Sequence, residues 1–368
     1  DKPILSNSWY LHFKIYMKKH NFSAGPSVLP NEVLFEASKS IIELDNIGLS
    51  LIEISHRSKE FISIMEEATE RVLEITKLKN KGYKAIFVQG GASMQFLMAA
   101  YNLLENKGAY INTGTWSSKA IKEAKLLGEV NEIASSADKN FNYIPKKYKI
   151  PVDAQYLHIT TNNTIFGTQY KTFPKSPIPL IADMSSDIFS REIDFSKFDL
   201  FYAGAQKNIG PAGVTLVVIK EEILNRVSRN IPSMLDYSNY IQAGSMSNTP
   251  PVFAIYTTLL NLRWIEKNGG LKEIEKLNTA KAKLIYDEID RNTCFEGFSD
   301  LNDRSIMNAT FTLKNEKRKN EFDQIWMKNN INGLNGHRSV GGYRASIYNA
   351  LKVESVEELI RCMKKFDQ

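Results

Sequence analysis

The residue of this chain best placed to do covalent chemistry is Lys207. It lies within Phe201-Tyr-Ala-Gly-Ala-Gln-Lys-Asn-Ile-Gly-Pro-Ala-Gly-Val-Thr-Leu-Val-Val-Ile219, which reads as a short strand, a small-residue loop and a β-branched strand. No acid stands beside the lysine, and Gly204, Gly210 and Gly213 leave room for a ligand. On a buried loop, desolvation lowers the amine pKa and frees the nitrogen to attack a carbonyl, as a Schiff-base lysine does. On an exposed hairpin the same residue is an ordinary turn lysine.

Other residues carry complementary chemistry. Asp183 ends the apolar run Pro179-Leu-Ile-Ala-Asp-Met184. An acid at the carboxyl end of a buried parallel strand faces the ligand crevice and can keep a pyridine nitrogen protonated; the competing reading is a helix N-cap. Trp116 follows Thr113-Gly-Thr115 at another strand end, as a core residue or as a plate for a flat ring. Gly90-Gly-Ala-Ser93 joins a strand to a helix and resembles a phosphate cradle. His337, Arg338 and Arg344 crowd one glycine-bearing segment, and His56-Arg57 repeats the pair far away. Arginines grip carboxylates and phosphates bidentately, so the pairs point to a doubly anionic ligand held from two sides; a solvated basic turn is the alternative.

Positioning these groups calls for an alternation of strands and helices. Ala85–Gln89 and Ala109–Asn112 read as strands, each followed by a helix, Met94–Leu104 and a second one through Leu127. Further apolar runs cover 156–160, 179–184, 200–203 and 214–219. Runs this continuous imply an α/β layer with a mostly parallel, buried sheet. Phe61, Ile64, Met65, Ala68, Val72 and Ile75 share one helical face. A long helix from Val252 to Lys267 ends at Asn268-Gly-Gly270, where the chain changes character to an α+β unit. The expected divisions are a leader derived from expression at 1–16 preceding a natural start at Met17, an N-terminal segment at 17–29, a large domain at 30–270 and a small one at 271–368.

At 368 residues the chain suffices for roughly two domains. Its net charge of +6 is spread along helical faces, which argues against a nucleic-acid stripe but favours anionic small substrates. No run approaches the ~20 apolar residues of a membrane span. Cys294 and Cys362 are isolated, without metal-like spacing, and suit a reduced, cytoplasmic setting.

A nucleophilic lysine, a strand-end acid, an aromatic plate, an anion cradle and carboxylate-binding arginines together are what pyridoxal 5′-phosphate chemistry needs. Asn21-Phe-Ser-Ala-Gly-Pro26, Ser55-His-Arg-Ser58, Thr113-Gly-Thr-Trp116, Ala203-Gly-Ala-Gln-Lys-Asn208 and Gly336-His-Arg-Ser-Val-Gly-Gly-Tyr-Arg-Ala-Ser-Ile-Tyr-Asn-Ala350 resemble, in order, the phosphoserine aminotransferase family of class V. The resemblance runs from about Lys18 to the end. It implies a fold-type I transferase with a seven-stranded sheet, a smaller C-terminal domain joined by the N-terminal segment, and a homodimer. By the same resemblance Lys207 is the Schiff-base lysine that moves the substrate Cα proton, Asp183 pairs with the ring nitrogen, Trp116 stacks on the ring and Thr164 bonds its hydroxyl. Ala92, Ser93 and Gln206 take the cofactor phosphate, with Asn248 and Thr249 from the partner subunit. Arg344 clamps the substrate α-carboxylate, and His56-Arg57 with His337-Arg338 hold the distal phosphate or carboxylate. Where many members have glycine or arginine in the cradle, this chain has Ala92 and Ser93, which keeps the backbone donors but removes any arginine contact.

The implied reaction is transfer of an amino group between glutamate and 3-phosphohydroxypyruvate in serine biosynthesis. Whether 4-phosphohydroxythreonine, of pyridoxine biosynthesis, is also used is left open. A class V transaminase for alanine or serine with glyoxylate is disfavoured by the distal His-Arg pairs, which small uncharged side chains do not need. A cysteine desulfurase is disfavoured because neither cysteine lies in a reactive-loop context, and a non-catalytic binding protein by the joint presence of Lys207, Asp183 and Trp116.

Overall fold

The computed structural model describes residues 19–367; the leader expected at 1–16 and the start at Met17 lie outside them. Seven strands form one sheet: β1 (Tyr83–Gln89), β2 (Lys107–Asn112), β3 (Glu129–Ser135), β4 (Leu157–Thr160), β5 (Leu180–Asp183), β6 (Leu200–Gly204) and β7 (Val214–Lys220). Their order in space is β1-β7-β6-β5-β4-β2-β3. β7 runs antiparallel to both neighbours, and every other pairing is parallel. The carboxyl ends of β1, β2, β4, β5 and β6 therefore open on one edge, where an open α/β sheet binds its ligands.

The expected mostly parallel, seven-stranded α/β sheet is what the chain forms. Its central strands are mostly apolar and buried on both sides because both faces are covered. Successive residues point to opposite sides. Phe87, Ile159, Ala203 and Leu216 join a core with helices α1 (Asn31–Ile42), α2 (Lys59–Ile75) and α6 (Val252–Lys267). Val88, Tyr110, Tyr202 and Val217 join another with α3 (Ser93–Leu103), α4 (Thr115–Ala124) and the short α5 (Tyr237–Gln242). α2 buries Phe61, Ile64, Met65, Ala68 and Val72, the face its periodicity marks out, and Ser58 Oγ caps it by accepting from Phe61 N–H at 3.4 Å.

Sequence reading misses β3. Its segment Glu-Val-Asn-Glu-Ile-Ala-Ser contains no fully buried residue, because it is an edge strand, so no continuous apolar run announces it. The pairing with β2 along its length decides it.

After α6 the chain builds α7 (Gly270–Arg291), β8 (Phe295–Gly297), β9 (Asn308–Leu313), α8 (Lys319–Lys328), β10 (Tyr343–Ser346) and α9 (Val353–Phe366). The three strands form a separate antiparallel sheet in the order β8-β9-β10. Its core gathers Ile285, Phe295, Phe311, Phe322, Trp326, Leu359 and Phe366, and Phe22 from the beginning of the chain joins it. His20–Asn21 pairs in parallel with Ile331–Asn332, which holds the N-terminal segment against this unit. Cys362 is buried and Cys294 half-buried, both as free thiols. No helix among the described residues is long and apolar enough to cross a membrane.

Candidate active site

Lys207 sits on the loop between β6 and β7, and other parts of the chain hold that loop from several sides. Ser27 N–H donates to the Gln206 carbonyl at 3.0 Å, and Ser27 Oγ donates to the Lys207 carbonyl. Gly25 lies so close that a Cβ there would stand 3.1 Å from Lys207 Cγ, on a backbone with φ of +138°. Asn208 Nδ2 donates to the Ile188 carbonyl at 2.7 Å, Asn261 Nδ2 donates to the Asn208 carbonyl at 2.9 Å, and Asn349 N–H donates to Asn208 Oδ1 at 3.0 Å. The lysine stem is thus aimed by a fixed backbone.

Lys207 Nζ donates to Thr164 Oγ1 at 2.7 Å and lies 5.6 Å from the centre of the Trp116 ring. Burial lowers its pKa to about 8; Asp183 opposes that fall and Arg344 adds to it. This is the desolvated lysine of the first expectation, not a turn lysine on the surface. Asp183, 4% exposed, ends β5, and its Oδ1 accepts from Ser185 N–H at 2.9 Å. No helix starts after it, so it is not a helix N-cap. Burial raises its pKa, and the Lys207 charge works against that.

Trp116 stands in the first turn of α4. That turn is fixed by Thr113 N–H donating to Ser117 Oγ at 2.9 Å and by Asn163 Nδ2 donating to the Thr113 carbonyl at 2.7 Å. Gly114 is obligatory there: its φ is +145°, and a Cβ would lie 2.2 Å from Asn163 Nδ2. The indole is half-buried and its Nε1 has no partner.

Arg344, on β10, reaches across to the large sheet, where its Nη1 donates to the Thr164 carbonyl at 3.4 Å while Nε is unpartnered. His337 shares its field: partial burial lowers its pKa, followed by the charges of Arg344, Arg338 and Lys119. Among the described residues neither His56 nor Arg57 makes a hydrogen bond or ion pair with Lys207, Arg344 or His337. His56 Nε2 is buried without a partner, and Arg57 is exposed.

Ala92 precedes the eleven-residue helix α3 without a side-chain cap, so the amides of Ala92 and Ser93 open into the space beyond β1 with the positive end of the helix dipole behind them. Gln206 Oε1, Ser247 Oγ and Asn248 Oδ1 are likewise buried and unpartnered. Thr249 lies beside the end of β1, its carbonyl accepting from Gln89 Nε2 at 2.6 Å. Buried polar groups without partners are costly unless something meets them.

These residues fit pyridoxal phosphate. There is a lysine amine of lowered pKa for its carbonyl, a buried acid for its ring nitrogen, a plate for its ring, and the α3 amides with the orphan Gln206 Oε1 for its anionic end. Sequence reading missed Gly25, Ser27, Asn208 and Asn349. Gly25, Asn208 and Asn349 fall within the motifs that carry the family resemblance, which gave them no task of their own, and Ser27 directly follows one of them.

Fold and site define a class: the chain belongs to the class-V aminotransferases, whose family model matches residues 19–359. The phosphoserine aminotransferase of Flavobacterium psychrophilum is 60% identical over 353 residues, covering 95% of this chain and 99% of the relative. That of Bacteroides fragilis is 52% identical over 354 residues, covering 96% and 99%. Within the class, the chain's place is therefore among the phosphoserine aminotransferases. The solved phosphoserine aminotransferase of Bacillus circulans subsp. alkalophilus superimposes with a TM-score of 0.93 at 44% identity, over 96% of this chain and 99% of that one. A pyridoxal-phosphate-bound one from Trichomonas vaginalis gives 0.89 at 37%, over 94% and 100%.

Proposed function

We infer that this chain reversibly exchanges an amino group between L-glutamate and 3-phosphohydroxypyruvate, giving 2-oxoglutarate and O-phospho-L-serine in ping-pong order. The observation that carries it is the convergence of Lys207 and Arg344 on Thr164, beside Trp116 and Asp183. When bound, pyridoxal phosphate supplies a carbonyl carbon to receive the amino group and a ring to absorb the electron pair released at the substrate Cα.

The chain's own residues do the rest. Lys207 Nζ, with a pKa near 8, is partly neutral at mildly alkaline pH and can take the proton from the substrate Cα and return it. Asp183 holds a positive N–H at its carboxylate. Trp116 orients a flat ring, and Thr164 offers its hydroxyl beside it. The amides of Ala92 and Ser93, with Gln206, take a phosphate, and Asn248 and Thr249 complete that cradle from the partner subunit. Arg344 grips the α-carboxylate as a planar fork.

A homodimer fits the exposed apolar residues Leu34, Ile42, Leu49 and Ile52, which fall within one short stretch of the chain. His56 and Arg57 follow Ile52 in the chain, and in such a dimer they would serve the distal anion of the partner's substrate, opposite His337 and Arg338. We take 30–270 as the cofactor domain and 271–367 as the small domain of the described residues, with 19–29 belonging to it, in agreement with the place of Phe22. A cytoplasmic setting suits the two free thiols.

The test is initial-rate kinetics with both substrates varied. Parallel double-reciprocal lines and turnover of phosphoserine far above serine are expected; converging lines, or serine used as well as phosphoserine, would sink the reading.

A further inference from the structure

One cation that the motifs do not name stands beside the Trp116 ring. Lys119 lies one turn beyond Trp116 on α4, and its Nζ stands 4.8 Å from the centre of the Trp116 ring. That ring is the one 5.6 Å from Lys207 Nζ, so Lys119 is a neighbour of the reaction centre. It is exposed, and among the described residues it has no ion pair. An indole face steadies an ammonium without neutralising it.

The loop Gly336–Gly342 leads into β10, which carries Arg344. The charge of Lys119 is felt there, being among those that disfavour the protonated form of His337. His337 also has its Nδ1 engaged with Ser339 Oγ at 2.6 Å. A histidine so disposed brings little positive charge at neutral pH, and Arg344 is turned towards Thr164. Within one chain this leaves Arg338 and Lys119 as the cations open to a second anionic group.

The two substrates differ at that second group. A phosphate monoester carries about −1.5 to −2 at neutral pH with three acceptor oxygens, whereas glutamate's side chain carries a single charge. We propose that Lys119 is a specificity residue of the distal pocket, its ammonium contacting the phosphate of the phosphorylated substrate and adding more to the binding of that dianion than to that of a side-chain carboxylate. The proposal rests on the transaminase reading above.

The experiment compares the holoenzyme with its Lys119→Met and Lys119→Arg forms. Titration calorimetry with 3-phosphoglycerate, an unreactive phosphorylated acid, and with 2-oxoglutarate gives binding without turnover; KM values for phosphoserine and glutamate accompany it. A purely through-space effect scales with ligand charge, so a tenfold loss for a dianion implies about threefold for a monoanion. K119M is expected to weaken 3-phosphoglycerate and raise the phosphoserine KM by more than about tenfold, with about threefold or less for 2-oxoglutarate and glutamate, and K119R to restore most of the difference. Equal factors for both ligand classes, no change, or an arginine variant no better than methionine would overturn it. Equal factors would instead make Lys119 a support for the Trp116 ring. A wild-type enzyme that fails to use phosphoserine at all would refute the functional reading itself, independently of the variants.

Discussion

Lys207 and Arg344 meet on a single residue: Lys207 Nζ donates to the Thr164 hydroxyl at 2.7 Å, and Arg344 Nη1 donates to the Thr164 carbonyl at 3.4 Å. The nucleophile comes from the large sheet and the carboxylate anchor from the small one. Their separation is therefore set by how β10 docks beside the Thr164 turn. Asn349, just after β10, ties the same two regions again through Asn208, the neighbour of Lys207.

Replacing Lys207 with alanine removes both the covalent anchor and the proton carrier. Transamination should fall by roughly a thousandfold or more, in line with the loss of a nucleophile and general base together. Borohydride trapping of the cofactor on the protein should vanish as well. Transfer at wild-type rates in K207A would refute the site at its centre.

The lowered pKa of Lys207 has a pH signature in the cofactor-free protein. Its folded value is about 8 against 10.5 for a free lysine, so the unfolded chain binds more protons between those values. Stability contributed at this position must rise with pH through that window, and the full penalty stands below about pH 8. The melting advantage of K207M over wild-type apoprotein should accordingly shrink between pH 8 and 10. In Asp183→Asn the counter-charge is gone, and reaction of Lys207 with a carbonyl reagent should begin at a lower pH than in wild type. A midpoint unmoved or raised would contradict the electrostatics.

Arg344→Lys keeps the charge but loses the planar fork. Since both substrates carry an α-carboxylate, kcat/KM should drop for glutamate and phosphoserine alike, by roughly 10- to 100-fold, the scale of one charge-assisted hydrogen bond. A drop confined to one substrate would move Arg344 into the distal pocket.

Lys281, 1% exposed on α7, donates through Nζ to the carbonyls of Ile347, Tyr348 and Leu351 at 3.0, 2.7 and 3.0 Å. Burial lowers its pKa to about 7, and no carboxylate pairs with it among the described residues. These carbonyls belong to the turn following β10, so Lys281→Met should leave those of Ile347 and Leu351 unpaired, while that of Tyr348 keeps the Leu351 N–H at 2.9 Å. A loss of about 3 kcal/mol in urea unfolding is expected. A variant as stable as wild type would mean that the turn finds other donors.

Much of this arrangement is legible in the order of residues. Asp183 and Trp116 mark themselves because each follows an apolar run that can only be a buried strand, and local periodicity dictates where such runs stop. The face of α2 and the loop around Lys207 are legible for the same reason. β3 is not, because an edge strand covered on few sides has no pattern to betray it. The task of Gly25 and Ser27 is hidden too, since the loop they hold lies far along the chain.

The sequence by itself determined the elements, the chemistry each strand end could offer and the family. Only the tertiary structure decided that Lys207 is buried enough for a pKa near 8 and that Thr164 joins it to Arg344. Periodicity is written residue by residue, whereas burial and proximity arise from the order β1-β7-β6-β5-β4-β2-β3 and from the docking of one sheet on another.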